Sequence, residues 1–257
     1  MGVVLVTGGT GRLGRVLLPR LLAAGHEVRA PVRRPDAELP AGVEAVRGDL
    51  GVPPLPARAL DGVTHVIHLA SGSAEGQIDG VDLAGTRALI NAARAAGHPH
   101  LIYLSIVGVE QVPSPLYSAK VEVEAMLAAS DLPWTSLRTP QFHELIWGSF
   151  NRPSAAPFVV EGRRYQPVAC ADVADFVLGL LTRPPANAVV EMGGPEVLEA
   201  TELASIYAEV MGRPQPALRP APESLGETRD ALTTPSHREG RVTWRRFVEA
   251  QRDAATP

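Results

Sequence analysis

The sequence predicts an α/β protein, a doubly wound parallel sheet carrying a small irregular C-terminal lobe. Two observations predict it. Short apolar runs alternate with stretches of helical periodicity over residues 3–137, the pattern of strands feeding crossover helices. The first apolar run also breaks into Thr7-Gly8-Gly9-Thr10-Gly11-Arg12-Leu13-Gly14, followed by helical spacing at Leu13, Val16, Leu17, Leu21 and Leu22. Strand, glycine turn and helix in that order make a phosphate seat. Gly8 and Gly11 have no Cβ to hold backbone away from a pyrophosphate, and Gly14 lets the helix pack close to the sheet. Gly8, Thr10, Gly11, Arg12, Leu13 and Gly14 are therefore the expected cofactor residues of the turn, in a Rossmann-type fold.

The elements follow in order. Further strands are expected over 28–32, 43–47, 64–69, 101–104 and 134–137, with helices over 81–96 and 115–129. Right-handed crossovers would bring the strand C-termini to one edge, where ligands bind. After Arg138 prolines become frequent and the pattern loosens. Short segments are expected at 158–160, 164–168 and 188–191. Helices are expected over 172–181, with Asp172 as cap, and over 201–211; residues 214–222 read as a proline-rich loop. A last helix is expected over 243–251, capped by Thr243. The expected division is a nucleotide-binding core over 1–140 and a small substrate lobe over 141–257, with segments returning to the core sheet.

Composition narrows the function. A hydrophobic fraction of 45% supports a substantial core. A net charge of −4 with no basic block argues against nucleic acid. The single cysteine, Cys170, cannot form an internal disulfide and reads as a small packed residue. No stretch has the length of a membrane span or of a signal h-region. The expectation is a soluble cytoplasmic protein that engages neither membrane nor nucleic acid; the oligomeric state is left open.

The second strand ends in Arg33-Arg34 with no carboxylate where an NAD site places one. Guanidinium matches a 2′-phosphate by charge and paired hydrogen bonds, and Arg12 could reach the same group. NADP(H) is expected over NAD(H). Asp49 can accept from the adenine amino group while Leu50 packs on the ring; the competing reading of Asp49 is an ordinary turn residue.

Thr7 to Gly14, the basic end of the second strand, Gly48-Asp49-Leu50 and His68-Leu69-Ala70-Ser71 together resemble an atypical short-chain dehydrogenase/reductase. Tyr117-Ser118-Ala119-Lys120, Leu132 to Arg138 and Gln141-Phe142-His143 resemble its NmrA-like branch. The resemblance spans nearly the whole chain. It implies NAD(P) at the strand ends, with Leu69, Ala70 and Ser71 along the nucleotide, Ala70 and Ser71 at its ribose. It also implies Ser105 near the nicotinamide ribose, and Pro140, Gln141 and Phe142 against the nicotinamide.

Lys120 is the only lysine in the chain. A compact ammonium can bond ribose hydroxyls and lower a neighbouring phenol's pKa. In reductases of the family a tyrosine four residues earlier donates a proton; here that position is Leu116, and Tyr117 stands three before the lysine. The candidate catalytic residues are Lys120, Tyr117, Ser105 and, as an alternative proton donor, His143. His65 and His68 fall on opposite faces of a strand and read as packed histidines, and no cluster has metal-ligand spacing. Phe142, His143, Trp147 and Phe150 form the expected wall for a small apolar or aromatic substrate, with lobe core as the competing reading. Arg163, Arg164 and Tyr165 are expected at a cleft edge or an exposed turn.

Three activities fit these residues. The leading one is an NADPH-dependent oxidoreductase acting on an apolar carbonyl, enone, quinone or imine. The others are a non-catalytic NADP(H)-binding redox sensor and a non-redox isomerase or cyclase on the same fold.

Overall fold

Residues 2–72, 76–151 and 158–255 are described by the computed structural model. β1 (Val3–Thr7) leads through the glycine turn into α1 (Arg12–Ala23), which buries Leu13, Leu17, Leu18 and Leu21 on one stripe. β2 (Glu27–Val32) and β3 (Val43–Arg47) follow, then a short 3₁₀ turn and β4 (Val63–His68). The helix expected from residue 81 begins earlier and differently. Ile78–Gly85 forms a wide π-type segment before α2 (Thr86–Ala95) continues in regular α geometry. Gly85 permits this course: a Cβ there would stand 2.5 Å from the Leu50 carbonyl oxygen.

β5 (His100–Ile106), α3 (Pro115–Ala128) and β6 (Trp134–Thr139) complete the alternation. Then come α4 (His143–Phe150), β7 (Arg164–Tyr165), α5 (Cys170–Leu180), β8 (Ala188–Glu191) and β9 (Leu198–Glu199). α6 (Ala200–Met211), α7 (Leu225–Thr228) and α8 (Trp244–Ala255) end the chain. Among the described residues no helix is long and apolar enough to cross a membrane.

The main sheet has seven strands in the order β3-β2-β1-β4-β5-β6-β8. β3–β2, β2–β1, β1–β4 and β4–β5 pair in parallel. The order turns back between β1 and β4, so the chain leaves the sheet in opposite directions there and opens a crevice beyond the strand ends. One face of the sheet is covered by α2 and α3: Leu89, Ile90 and Ala93 with Val123 and Leu127 pack on Leu5, Val66, Leu101 and Tyr103. Each fully buried leucine or isoleucine contributes roughly 1.5–3 kcal/mol, so this layer fixes the strand ends on which the site is built.

Two compact units divide the chain. One comprises Met1–Ser105, Pro113–Arg138 and Ala174–Val190; the other comprises Ile106–Val112, Thr139–Val173 and Glu191–Pro257.

Several expectations for the later chain need correction. Residues 158–160 form no strand; Val160 makes an isolated bridge to Arg219. The segment 164–168 shortens to the two-residue β7, because Pro167 has no N–H to continue a ladder. Asp172 does not cap α5, which begins at Cys170. Its carboxylate instead accepts the N–H groups of Arg241 and Val242 at 2.9 and 3.0 Å. The cap expected at Thr243 is present: its hydroxyl accepts the Arg246 N–H at 3.2 Å.

Candidate nucleotide site

One pocket gathers the C-terminal ends of four neighbouring strands. Thr7, Gly8, Thr10 and Gly11 come from the turn after β1, and Pro31, Val32, Arg33, Arg34 and Ala37 from the end of β2. Gly48, Asp49 and Leu50 follow β3, and Leu69, Ala70 and Ser71 follow β4. Gln77 and Val81 close it from the wide helical segment. The position is the crevice that the β1/β4 reversal opens.

The glycines work by different means. Gly8 has φ +71°, and a Cβ there would lie 2.7 Å from the Ala70 nitrogen, so the turn touches the end of β4 directly. Gly14 lies in α1 with its missing Cβ 2.5 Å from the carbonyl oxygens of both Gly8 and Gly9. It holds the helix against the turn and lines no part of the pocket. α1 starts from Gly11 with no side-chain cap and no acidic residue in its first turn. Its leading N–H groups and dipole are thus left for an external anion. A cradle of this shape fits the linked phosphates of a dinucleotide.

Arg33 and Arg34 are exposed, and among the described residues neither pairs with a carboxylate. Arg12 is exposed at the head of α1 and Leu13 is buried; neither lines the pocket. Asp49 satisfies both readings given to it. One carboxylate oxygen accepts the Gly51 N–H at 2.9 Å as a turn residue, and the side chain still faces the pocket. Leu50 is buried beside it. The end of β4 is fixed from within. His68, fully buried, bonds the Thr7 hydroxyl at 2.6 Å and the Thr86 hydroxyl at 2.8 Å. Burial, with the Lys120 charge nearby, pushes its pKa down to about 3.

Lys120 departs from expectation. It is 4% exposed and does not line the pocket. Its ammonium lies 3.5 Å from Asp82, donates to the Leu104 carbonyl at 3.4 Å and stands over the Tyr103 ring at 4.9 Å. Burial pushes its pKa down while the Asp82 carboxylate pulls it back up. Asp82 was not singled out from sequence. The only trace of it there is an acid inside the apolar run Val81-Asp82-Leu83.

Ser105 is also buried, at the end of β5 near Glu124, and does not line the pocket. Burial pushes the Glu124 carboxyl up, but Arg138, Ser105 and Ser136 together bring it below the usual carboxylate range. Leu116, at the position where the family has tyrosine, lines a separate cavity with Ile78, Asp79, Leu83 and Glu122. Tyr117 is half-buried on α3 and lines neither cavity.

The second unit holds the remaining candidates. His143 is fully buried, with Trp244 and Phe247 at 5.5 and 5.1 Å between ring centroids, and its ring approaches the Pro167 backbone without a well-formed hydrogen bond to any described residue. Burial pushes its pKa down to about 3. A neutral, enclosed imidazole keeps one N–H but lacks the acidic imidazolium proton at neutral pH, which stands against the proton-donor expectation. Phe150 is buried against Tyr207 and Trp244 and belongs to the core of its unit. Trp147 is half-buried and meets Tyr207 and Phe247 edge-on. Pro140 and Gln141 are buried, and Phe142 is half-buried. The Gln141 carbonyl accepts the Val168 N–H, and that of Val168 accepts the His143 N–H. Arg163 is buried, bonding the Thr228 hydroxyl, and Arg164 pairs with Asp230 and Glu199. Among the described residues no group of three or more His, Cys, Asp or Glu is placed to hold a metal.

Strand order, switch point and phosphate cradle define a dinucleotide-binding protein of the Rossmann type. The family model described as NAD(P)H-binding matches residues 8–184, and the chain belongs to that family, among the atypical short-chain dehydrogenases/reductases. A photosystem II assembly factor, Ycf39, of Trieres chinensis is 31% identical over 222 residues, covering 82% of this chain and 69% of its own. A (4-alkanoyl-5-oxo-2,5-dihydrofuran-3-yl)methyl phosphate reductase of Streptomyces griseus is 32% identical over 222 residues, covering 82% and 75%. The fold matches a short-chain dehydrogenase/reductase superfamily protein from Agrobacterium tumefaciens, solved with NAD bound. That match has a TM-score of 0.76 and 20% identity over 98% of this chain and 96% of that one.

Proposed function

We propose that the protein is an NADPH-dependent oxidoreductase that reduces a small apolar or aromatic acceptor: a carbonyl, enone, quinone or imine. Oxidoreduction is supported by family membership and by the reductase among the relatives. The observation that carries the NADP preference is the pair Arg33 and Arg34 at the pocket edge, free of carboxylate partners among the described residues. A 2′-phosphate is the group such a pair would hold. The amides of the glycine turn and the first turn of α1 would hold the linked phosphates. Asp49 would accept from the adenine amino group through its second oxygen, with Leu50 packed on the ring.

When bound, the nicotinamide supplies the hydride. Leu116 cannot donate a proton, and His143, neutral at working pH, is a poor acid. Quinones and conjugated alkenes spread charge into their own π system and depend least on a fixed donor, so they lead the substrate list. Tyr117 is the proton donor proposed for carbonyl substrates. The test is loss of nicotinamide absorbance when purified protein meets NADPH or NADH with a panel of quinones, enones and ketones. Faster oxidation of NADPH with at least one acceptor is expected; no oxidation across the panel would overturn the enzymatic reading.

Leu116 in the tyrosine position also favours a second reading, a nucleotide-binding regulator, and one relative is named an assembly factor. That reading expects tight NADP(H) binding without turnover.

A further inference from the structure

We propose that Asp82 is a positioning residue for the nucleotide site, fixing the Ser71–Gly72 strap after β4 and orienting the Ser71 hydroxyl to accept from a ribose. The inference rests on the nucleotide reading above. Asp82 is 1% exposed, inside the wide segment Ile78–Gly85. One of its oxygens accepts the Ser71 hydroxyl proton at 2.7 Å, and the other accepts the Gly72 N–H at 2.6 Å. The Lys120 ammonium stands 3.5 Å from the first oxygen. Burying a carboxylate is costly without partners, and Lys120 is the cation beside this one.

A serine hydroxyl has one proton and two lone pairs. With the proton committed to Asp82, Ser71 presents only lone pairs to the pocket it lines, and ribose hydroxyls are donors for them. The strap packs against the helical segment beyond it. A Cβ on Gly72 would stand 2.7 Å from the Gln77 carbonyl carbon, so the strap lies directly on the segment that carries Asp82. Ser71, Gln77 and Val81 line the same pocket. The lone lysine, which does not line this pocket, therefore bears on it through Asp82 and Ser71.

In Asp82→Asn an amide nitrogen replaces one carboxylate oxygen. The Ser71 proton loses its charged acceptor and the hydroxyl is free to rotate. The test is a double-mutant cycle on dissociation constants for NADPH and NADH, using wild type, Asp82→Asn, Ser71→Ala and the double variant. Asp82→Asn is expected to weaken both coenzymes by about tenfold, the scale of one hydrogen bond to a charged group, and to add nothing once Ser71 is alanine. A structural defect alone would weaken binding equally in both backgrounds. Additive losses, or an unchanged constant in either single variant, overturn the proposal. If Asp82→Asn does not fold, Ser71→Ala alone decides: a loss of about tenfold supports it and an unchanged constant overturns it. Wild-type protein that binds neither coenzyme would refute the nucleotide reading itself, a result distinct from additivity on a normal wild-type affinity.

Discussion

Gly14→Ala sets two physical effects of opposite sign against each other. Gly14 lies within α1, where alanine is preferred over glycine by about 1 kcal/mol. Propensity alone predicts a more stable protein. The added Cβ, however, would stand 2.5 Å from the carbonyl oxygens of Gly8 and Gly9 and 2.6 Å from the Gly9 carbonyl carbon. These are backbone atoms of the cradle, with no flexible side chain to give way. Overpacking costs roughly 1–3 kcal/mol, and a rigid neighbour puts this site at the upper end. The net expectation is a loss of about 2 kcal/mol, or roughly 4–8 °C in Tm at this chain length. Relief by sliding α1 outward would carry its free N–H groups away from the phosphate seat. NADPH should then bind at least about tenfold more weakly, the scale of one lost charge-assisted hydrogen bond. Gly148→Ala in α4 is the matched control: among the described residues nothing lies within 4 Å of its Cβ position, so stability should rise by about 1 kcal/mol. Thermal melts and NADPH titration of both variants decide. A Gly14→Ala protein as stable as wild type, with unchanged NADPH affinity, would refute the cradle argument.

Arg33→Ala should weaken NADPH by about 10–100-fold, from the loss of a charge-assisted hydrogen bond, and leave NADH within about twofold; equal losses for both coenzymes would remove Arg33 from the 2′-phosphate. His143→Phe should keep turnover within about twofold and hold or raise stability, since a buried polar ring without a well-formed hydrogen bond among the described residues is replaced by an apolar one; a collapse of kcat with a normal melt would restore its catalytic role. Buried neutral histidines should also shape the acid response. His68 and His143 have pKa values pushed down to about 3 and His100 to about 4, against 6.5 when unfolded. Above pH 6.5 these residues are neutral in both states and their full stability is present; between pH 6.5 and about 3 the unfolded chain takes up protons that the folded one refuses, so stability falls on acidification. Denaturant melts across this window check it, and a flat profile would contradict the buried neutral state.

Local pattern carries much of this protein. Residues 43–47 and 188–191 are strands with the bounds the apolar runs suggest, because neighbouring turns and charges stop them sharply. The glycine turn is equally local: strand, turn and helix are contiguous, so the positions of Gly8, Thr10 and Gly11 at the pocket follow from order alone. The wide segment Ile78–Gly85 was not legible, because its course depends on Gly85 meeting a carbonyl from a distant loop. Lys120 shows the same limit. Its chemistry suggests a ribose partner, but its actual partner, Asp82, lies on another element and leaves no spacing signal. For Asp172 and His143 the competing readings could be separated only by tertiary packing: one bonds backbone near the C-terminus, the other fills an aromatic cluster.

On the proposed function, the crevice between β1 and β4 holds a dinucleotide whose 2′-phosphate meets the arginine-bearing end of β2. Calorimetric titration of the intact protein with NADPH and with NADH tests it most directly. Saturable one-site binding of both is expected, with NADPH tighter by about tenfold or more. No heat with either coenzyme, or tighter binding of NADH, would contradict it.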